Sequence, residues 1–346
     1  MSGVPPPHPG RARVVSAPHE LVSSDTYIDL GRIIKRAVLV KCEGMNLGGS
    51  AKMRSAAAMV AAAERDGLIE DDTILVESTS GNLGVALSVI AASKGLRFTC
   101  VTDPRCNAAA AAAIRALGAE LLVVDRPHPV GGYLQARLDL IRGLCARNSH
   151  YLWLNQYVNQ ANCDAHYEGT APEIFAAFPD LDVLFVGVGT GGTSVGCARY
   201  VRDRQLPARV VAVDAVGSVT FGEAPGRRLI PGLGASVTPP MFDRTLFAGF
   251  VSVPELDTVR TCRMLASYGM LFGGSTGTVL CGAMAWLERH DPDRRLRSVC
   301  ISADLGDRYL HTIYNDGWVI EHFGAVALAS TSPRVAAGAG VWPSAS

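Results

Sequence analysis

From about residue 52 onward, the chain alternates short, nearly uninterrupted apolar runs with longer segments rich in helix formers. No other property limits the fold as much. "TILVES", "RFTCVT" and "ELLVVD" read as buried strands, interleaved with helices in "AKMRSAAAMVAAAERDGL", "LGVALSVIAASKG", "AAAAAIRALGA" and "GGYLQARLDLIRGLCARN". A strand that is apolar at nearly every position must be covered on both faces, which predicts a parallel sheet between layers of helices. A second block repeats the pattern with the strands "LDVLFVGV", "ARVVAVDAVG" and "RSVCISAD". Its helices are expected after the loop "GTGGTSVG" and within "PELDTVRTCRMLASYG" and "GTVLCGAMAWLERH". The expectation is an α/β protein of two doubly wound domains with mostly parallel sheets. A length of 346 residues is enough for two cores. The smaller domain is expected over residues 46–150, and the larger over 22–45 together with 151–325. Flexible tails are expected at 1–21 and 326–346.

Composition narrows the function. Lys plus Arg and Asp plus Glu number 32 each, so neither a nucleic acid nor a membrane surface is the expected partner. No apolar run reaches the roughly 18 residues needed to span a bilayer. The opening "MSGVPPPHPGRARVVSAPH" has basic residues but lacks the apolar centre of a signal peptide. Nine cysteines without a C-x-x-C pair suit reduced thiols in a cytoplasm. No side-chain cluster has metal-site spacing, so no metal is expected. Chemistry on small molecules remains.

Three loops carry the chemical signal. In "FVGVGTGGTSVG" a strand runs into Gly189, Thr190, Gly191, Gly192 and Thr193, then a helix. Such glycines let successive backbone N–H groups converge on an anion, and the helix dipole adds to this, so a phosphate is the natural guest. Two other readings stay open: a glycine turn needed only for close helix packing, and a dinucleotide fingerprint. For the latter, Asp214 stands about 20 residues on, as that motif requires. The second loop, "ESTSGNLG", offers Ser78, Thr79, Ser80 and Asn82 beside Gly81, donors suited to a carboxylate or ring oxygen. Taken alone, it is also a plain helix-capping cluster. In the third, "NLGGSAKMRSA", Lys52 stands where a glycine turn enters a helix. The positive end of the helix dipole lowers a lysine's pKa there and favours the free amine. Lysine, phosphate cradle and donor loop together suggest pyridoxal phosphate as the cofactor and small amino acids as substrates.

"MNLGGSAKMR", "TSGNLG", "GTGGTSVG" and "GDRYL", in this order, resemble the cysteine synthase family of fold type II pyridoxal-phosphate enzymes, from about residue 22 to 320. The resemblance implies Lys52 as the Schiff-base lysine, Asn82 at the cofactor's ring hydroxyl, and Gly189–Thr193 around its phosphate. It implies Ser78, Thr79, Ser80 and Gln156, in "WLNQYVN", as the substrate-carboxylate site. "KMRSA", "NQYVNQANCDAHYEGTAPEI", "VDAVGSVTFG", "RRLIPGLGAS" and "GDRYLHTIYND" are similar to one branch of that family. That branch joins O-phospho-L-serine and L-glutamate into N-(2-amino-2-carboxyethyl)-L-glutamate for 2,3-diaminopropionate supply to siderophores and peptide antibiotics. A cysteine synthase using sulfide is the alternative, and a homodimer is implied in either case. One position departs from the family. Where a serine or threonine usually meets the pyridine nitrogen, this chain has Asp304, with Ser302 two residues earlier. Asp304 is the expected partner, and a carboxylate there would keep the nitrogen protonated.

The remaining candidates have plainer readings. Arg54 is expected to cap or pair on its helix, and His166 to be a satisfied packing residue. Cys42 and Cys163 read as small buried hydrophobes. Asp307, Arg308 and Tyr309 are expected to be structural. "VGSVTFG" and "RRLIPGLGAS" are candidate covers over a second substrate, with Arg227 and Arg228 as possible anion anchors.

Overall fold

The computed structural model describes residues 15–22 and 25–328, and the backbone of 338–340. Numbered along the chain, its strands are β1 (Tyr27–Asp29), β2 (Val38–Cys42), β3 (Ile74–Ser78), β4 (Arg97–Thr102), β5 (Glu120–Val123), β6 (Tyr151–Trp153), β7 (Val183–Gly187), β8 (Arg209–Ala215), β9 (Gly249–Val253), β10 (Ser298–Ser302) and β11 (Gly338–Gly340). Seven of them form one sheet in the order β1-β2-β10-β7-β8-β9-β11, and four form another in the order β5-β4-β3-β6. The smaller sheet is parallel throughout. The larger is parallel from β2 to β9, with antiparallel strands β1 and β11 closing its two edges. These are the two mostly parallel sheets that the alternation requires.

Both faces of each sheet are covered, which is why their strands read as continuous apolar runs. In β7, Val183 and Phe185 join the core on one face, while Leu184 and Val186 join the core on the other. Phe185 meets Trp286 of the helix Gly274–His290 edge-on, with ring centroids 5.6 Å apart. The opposite face is packed by Val195, Cys197, Ala198 and Val201 of the helix Gly192–Asp203. Burying each such aliphatic or aromatic side chain stabilises the fold by about 1.5–3 kcal/mol. Helix ends fall where small residues allow them. The helix Lys52–Arg65 is followed by Gly67 at φ +68°, and Asn82–Lys94 by Gly95 at φ +69°, a backbone region that glycine enters without penalty.

Three expected boundaries are corrected. The change of domain expected at residue 150 falls after Trp153, because Tyr151–Trp153 is β6 and pairs with β3 in the smaller sheet. Three residues are too few to show a periodicity. The N-terminal tail expected over 1–21 is partly structured. Pro18–Glu20 form a 3-10 turn, His19 Nδ1 stands 3.2 Å from Ser93 Oγ, and Val22 bridges to Asn46. The C-terminal tail expected over 326–346 is also partly structured. Ala327 is buried against Val259, Tyr309 and Val319, and β11 pairs with β9. Residues 1–14, 329–337 and 341–346 of the expected tails lie outside the described residues.

Candidate active site

Loops that follow neighbouring strands share one end of a sheet, and in the larger sheet β2, β10 and β7 are neighbours. Their carboxyl ends lead respectively to the Glu43–Ala51 segment before Lys52, to Asp304, and to Gly189–Thr193. In the smaller sheet β3 leads to Ser78–Asn82, while β6 leads to Gln156. Carboxyl ends of parallel strands are where such sheets hold ligands.

Hydrogen bonds tie these segments together. Ala51 donates its backbone N–H to Ala303 O at 2.7 Å, and Ser50 bridges to Asp304. Asn82 Nδ2 donates to Asp304 Oδ2 at 2.8 Å. Asn162 Nδ2 donates both to Gln156 O at 2.9 Å and to Thr190 Oγ1 at 3.2 Å, so one amide spans from the donor-loop side to the glycine loop. Gln156 Nε2 donates to Ser78 O at 2.9 Å. These bonds join the segment before Lys52, the donor loop, Asp304 and the glycine loop.

Lys52 is the first residue of its helix and half-buried. Its pKa is lowered chiefly by burial, with Glu77 and Cys163 opposing. Loss of water around the ammonium thus favours the free amine more directly than the helix dipole invoked from the sequence. Glu77 is fully buried at the end of β3. Its Oε1 accepts Ser78 N–H at 2.8 Å and its Oε2 accepts Gln156 N–H at 3.1 Å, while burial raises its pKa to about 7. In the donor loop, Thr79 N–H bonds Val101 O at 3.0 Å, and Ser80 is half-buried. The buried Ser78 Oγ has no hydrogen-bond partner among the described residues.

The glycine loop is shaped as an anion cradle. Gly191 sits at φ +98° immediately before the helix Gly192–Asp203. A Cβ on Gly192 would overlap the Asn162 amide, and one on Gly189 would stand 2.9 Å from Gly232 O. The glycines serve close approach at two positions and a left-handed turn at a third. Gly234 N–H bonds Val188 O at 3.2 Å, so the "RRLIPGLGAS" segment packs directly on this loop. Arg228, considered as an anion anchor, instead donates to Gly217 O and to Ser236 Oγ at 3.0 Å, tying the two candidate cover segments together.

Asp304 is fully buried and opposite Gly273, where a Cβ would overlap its carboxylate. Oδ2 accepts from Asn82 and from Tyr309 OH at 2.7 Å; Oδ1 has no partner among the described residues. Burial raises its pKa, while Tyr309, Asn82 and Arg308 act against the rise. Ser302, the other candidate, is committed elsewhere, its Oγ 2.9 Å from Thr276 Oγ1. Tyr309 and Arg308 do more than pack. Arg308 donates to Asn82 Oδ1 and to Gly48 O at 2.8 Å, which fixes the Asn82 amide with its NH2 toward Asp304.

Beneath the site lies an ionic cluster. Arg54 Nε donates to Glu43 Oε2 at 2.7 Å, and its two terminal nitrogens donate to Glu173 at 2.9 and 2.6 Å. Lys41 Nζ lies 2.9 Å from Glu173 and 3.6 Å from Glu43. Arg54 therefore pairs, as expected, but with partners from two other segments rather than along its own helix. Glu43 and Glu173 carried no sequence signal, being isolated acids brought in by the fold. Cys42 and Cys163 are buried thiols, each pushed up to about 11, chiefly by burial. Asp214, needed by the dinucleotide reading, is fully buried and accepts Ala215 N–H at 2.7 Å. No group of three or more His, Cys, Asp or Glu placed to hold a metal occurs among the described residues.

An amine whose pKa burial lowers, an anion cradle and an unpaired buried carboxylate oxygen fit pyridoxal phosphate: its aldehyde, its phosphate and its ring nitrogen. The site and the two-lobed α/β fold define a pyridoxal-phosphate-dependent enzyme. Residues 26–304 match the family model described as pyridoxal-phosphate dependent enzyme, and the chain belongs to that family. Among solved structures, a hydrogen sulfide-producing enzyme from Fusobacterium nucleatum is similar at 29% identity and a TM-score of 0.80, covering 86% of this chain and 100% of that one. O-ureido-L-serine synthase is similar at 30% identity and a TM-score of 0.79, covering 92% and 100%. An O-acetylserine dependent cystathionine beta-synthase from Helicobacter pylori is similar at 26% identity and a TM-score of 0.80, covering 88% and 100%.

Proposed function

We propose that the protein catalyses β-replacement on O-phospho-L-serine with L-glutamate as the amine nucleophile. The products are N-(2-amino-2-carboxyethyl)-L-glutamate and phosphate, for 2,3-diaminopropionate supply to a siderophore or peptide natural product. The observation that carries a β-replacement is the meeting of Lys52, the Ser78–Asn82 donor loop and the Gly189–Thr193 cradle at the carboxyl ends of both sheets. Relatives named for O-ureido-L-serine and for O-acetylserine dependence support an activated serine as the first substrate. Glutamate as second substrate rests on the sequence resemblance alone.

Pyridoxal phosphate, when bound, supplies the electron sink for charge developing at the substrate's Cα. Lys52, Asn82, Asp304 and Gly189–Thr193 would hold it. The Ser78–Ser80 donors and Gln156 receive the substrate carboxylate and so orient the Cα–H bond. Burial lowers the pKa of Lys52 and so favours the amine as the base that takes the Cα proton. The Cβ–O bond to phosphate breaks, the glutamate nitrogen bonds to Cβ, and Lys52 returns the proton to Cα. The enzyme is proposed to act in the cytoplasm as a homodimer; no described helix is long and apolar enough to cross a membrane.

A cysteine synthase is the competing reading, favoured by the similarity to a hydrogen sulfide-producing enzyme. Incubating the holoenzyme with O-phosphoserine and either glutamate or sulfide, then identifying products by mass, separates the two. Cysteine as the sole product would remove glutamate from the assignment. Lys52→Ala is expected to abolish the visible band of lysine-bound pyridoxal phosphate and to lower turnover by on the order of 10²–10⁴-fold.

A further inference from the structure

His166 lies wholly buried between the helix that begins at Lys52 and the helix that begins at the glycine loop. It opens a π-turn, His166–Thr170, and Gly196 lets this segment approach, since a Cβ there would overlap Cys163 O. Its contacts fix its tautomer. Glu43, ion-paired to Arg54 and Lys41, can only accept, so the Thr170 hydroxyl donates to Glu43 Oε1 at 3.2 Å. Thr170 Oγ1 must then receive the proton on His166 Nδ1, 2.9 Å away. Nε2 is left as a single lone pair. Two hydroxyls compete for it: Thr193 Oγ1 at 3.1 Å, from the cradle, and Ser55 Oγ at 3.2 Å, one turn beyond Lys52. Burial, with Lys52 and Arg54 nearby, pushes the imidazole down to about 3, so it stays neutral and Nε2 stays an acceptor.

We propose that His166 is a positioning residue whose Nε2 lone pair is exchanged between Thr193 and Ser55. When an anion enters the cradle, Thr193 turns its proton to that anion and Ser55 takes over as donor to Nε2. The buried lone pair is thus never left unpaired, which would cost the full desolvation of that acceptor. Ser55, though it never touches the ligand, is thereby required for phosphate recognition, and the Lys52 helix is linked to the cradle through one imidazole.

The inference rests on placing the cofactor phosphate at Gly189–Thr193. Apoprotein is titrated, in phosphate-free buffer, with pyridoxal phosphate and separately with pyridoxal, following absorbance and intrinsic fluorescence. Ser55→Ala is expected to weaken pyridoxal phosphate about tenfold while leaving pyridoxal within about twofold. Thr193→Ala should also lower that preference, and adding Ser55→Ala to it should change nothing more, because no proton remains to be exchanged. Equal weakening of both ligands by Ser55→Ala, or additive effects in the double variant, overturns the exchange. An unchanged preference in Thr193→Ala instead shows that the phosphate lies elsewhere, and the exchange falls with that placement. If Ser55→Ala does not fold, Ser55→Cys, a weak donor of similar size, must lower the same preference.

Discussion

The site is built twice from the same plan, strand, loop and helix start, yet the two versions differ beneath the loop. Under Gly189–Thr193 the polar groups are paired in series, from Thr193 through His166 and Thr170 to Glu43 and then to Arg54 and Glu173. Under Ser78–Asn82, Ser78 Oγ is buried without a described partner and Glu77 sits buried with a raised pKa. The first loop uses backbone and glycine, and its supports lock its shape. The second uses side-chain donors on a foundation that responds to pH. A resident phosphate suits the first arrangement. A substrate carboxylate that must enter and leave suits the second.

The contrast breaks most decisively at Arg54. Arg54→Met would leave the fully buried Glu43 and its neighbour Glu173 with Lys41 as their cation, at a cost of about 3–5 kcal/mol. Urea unfolding of the apoprotein should show that loss, and a loss under about 1 kcal/mol would mean the cluster does not brace the cradle. Next come matched glycines. Gly192→Ala collides with Asn162 and should weaken pyridoxal phosphate at least tenfold, whereas a Cβ on Gly81 meets nothing within 4 Å. Gly81→Ala should therefore leave cofactor affinity within about twofold; comparable losses in both would erase the distinction between the loops.

The smallest effect concerns pH. Glu77 is raised from 4.5 to about 7, so the native state binds this proton more tightly than the unfolded chain does. Its stabilisation is full below about pH 4.5 and is lost as pH rises through about 7. Melting temperatures measured from pH 5 to 8 should fall more steeply for the wild type than for Glu77→Gln. Parallel profiles would show that Glu77 does not titrate in this range.

Much of this was readable in advance because it depends on local pattern. The continuous apolar runs foretold parallel sheets covered on both faces, and glycines at strand–helix junctions marked the cradle. Lys52 was placed at a helix start, as found. What escaped was non-local or too short. Strands β1, β2 and β9 lie outside the apolar runs that the alternation picks out, and β6 has three residues. Glu173 is 119 positions from Arg54, and no spacing rule connects them. His166 read as a satisfied packing residue, and it is satisfied; only the fold shows that its partners are the hydroxyls of Ser55, Thr170 and Thr193. The cause of the lysine's lowered pKa also required the fold, since burial belongs to the assembled site rather than to the helix start.

Arg308 carries a mechanical consequence. It follows β10 of the larger sheet, but its guanidinium holds Gly48 O and Asn82 Oδ1, and its carbonyl accepts from Asn107 Nδ2 at 2.6 Å. All three partners lie in the smaller lobe or the segment entering it. The two lobes cannot separate there without releasing these bonds together or carrying Arg308 along. One residue, through its guanidinium and its carbonyl together, thus works as a latch between the two lobes.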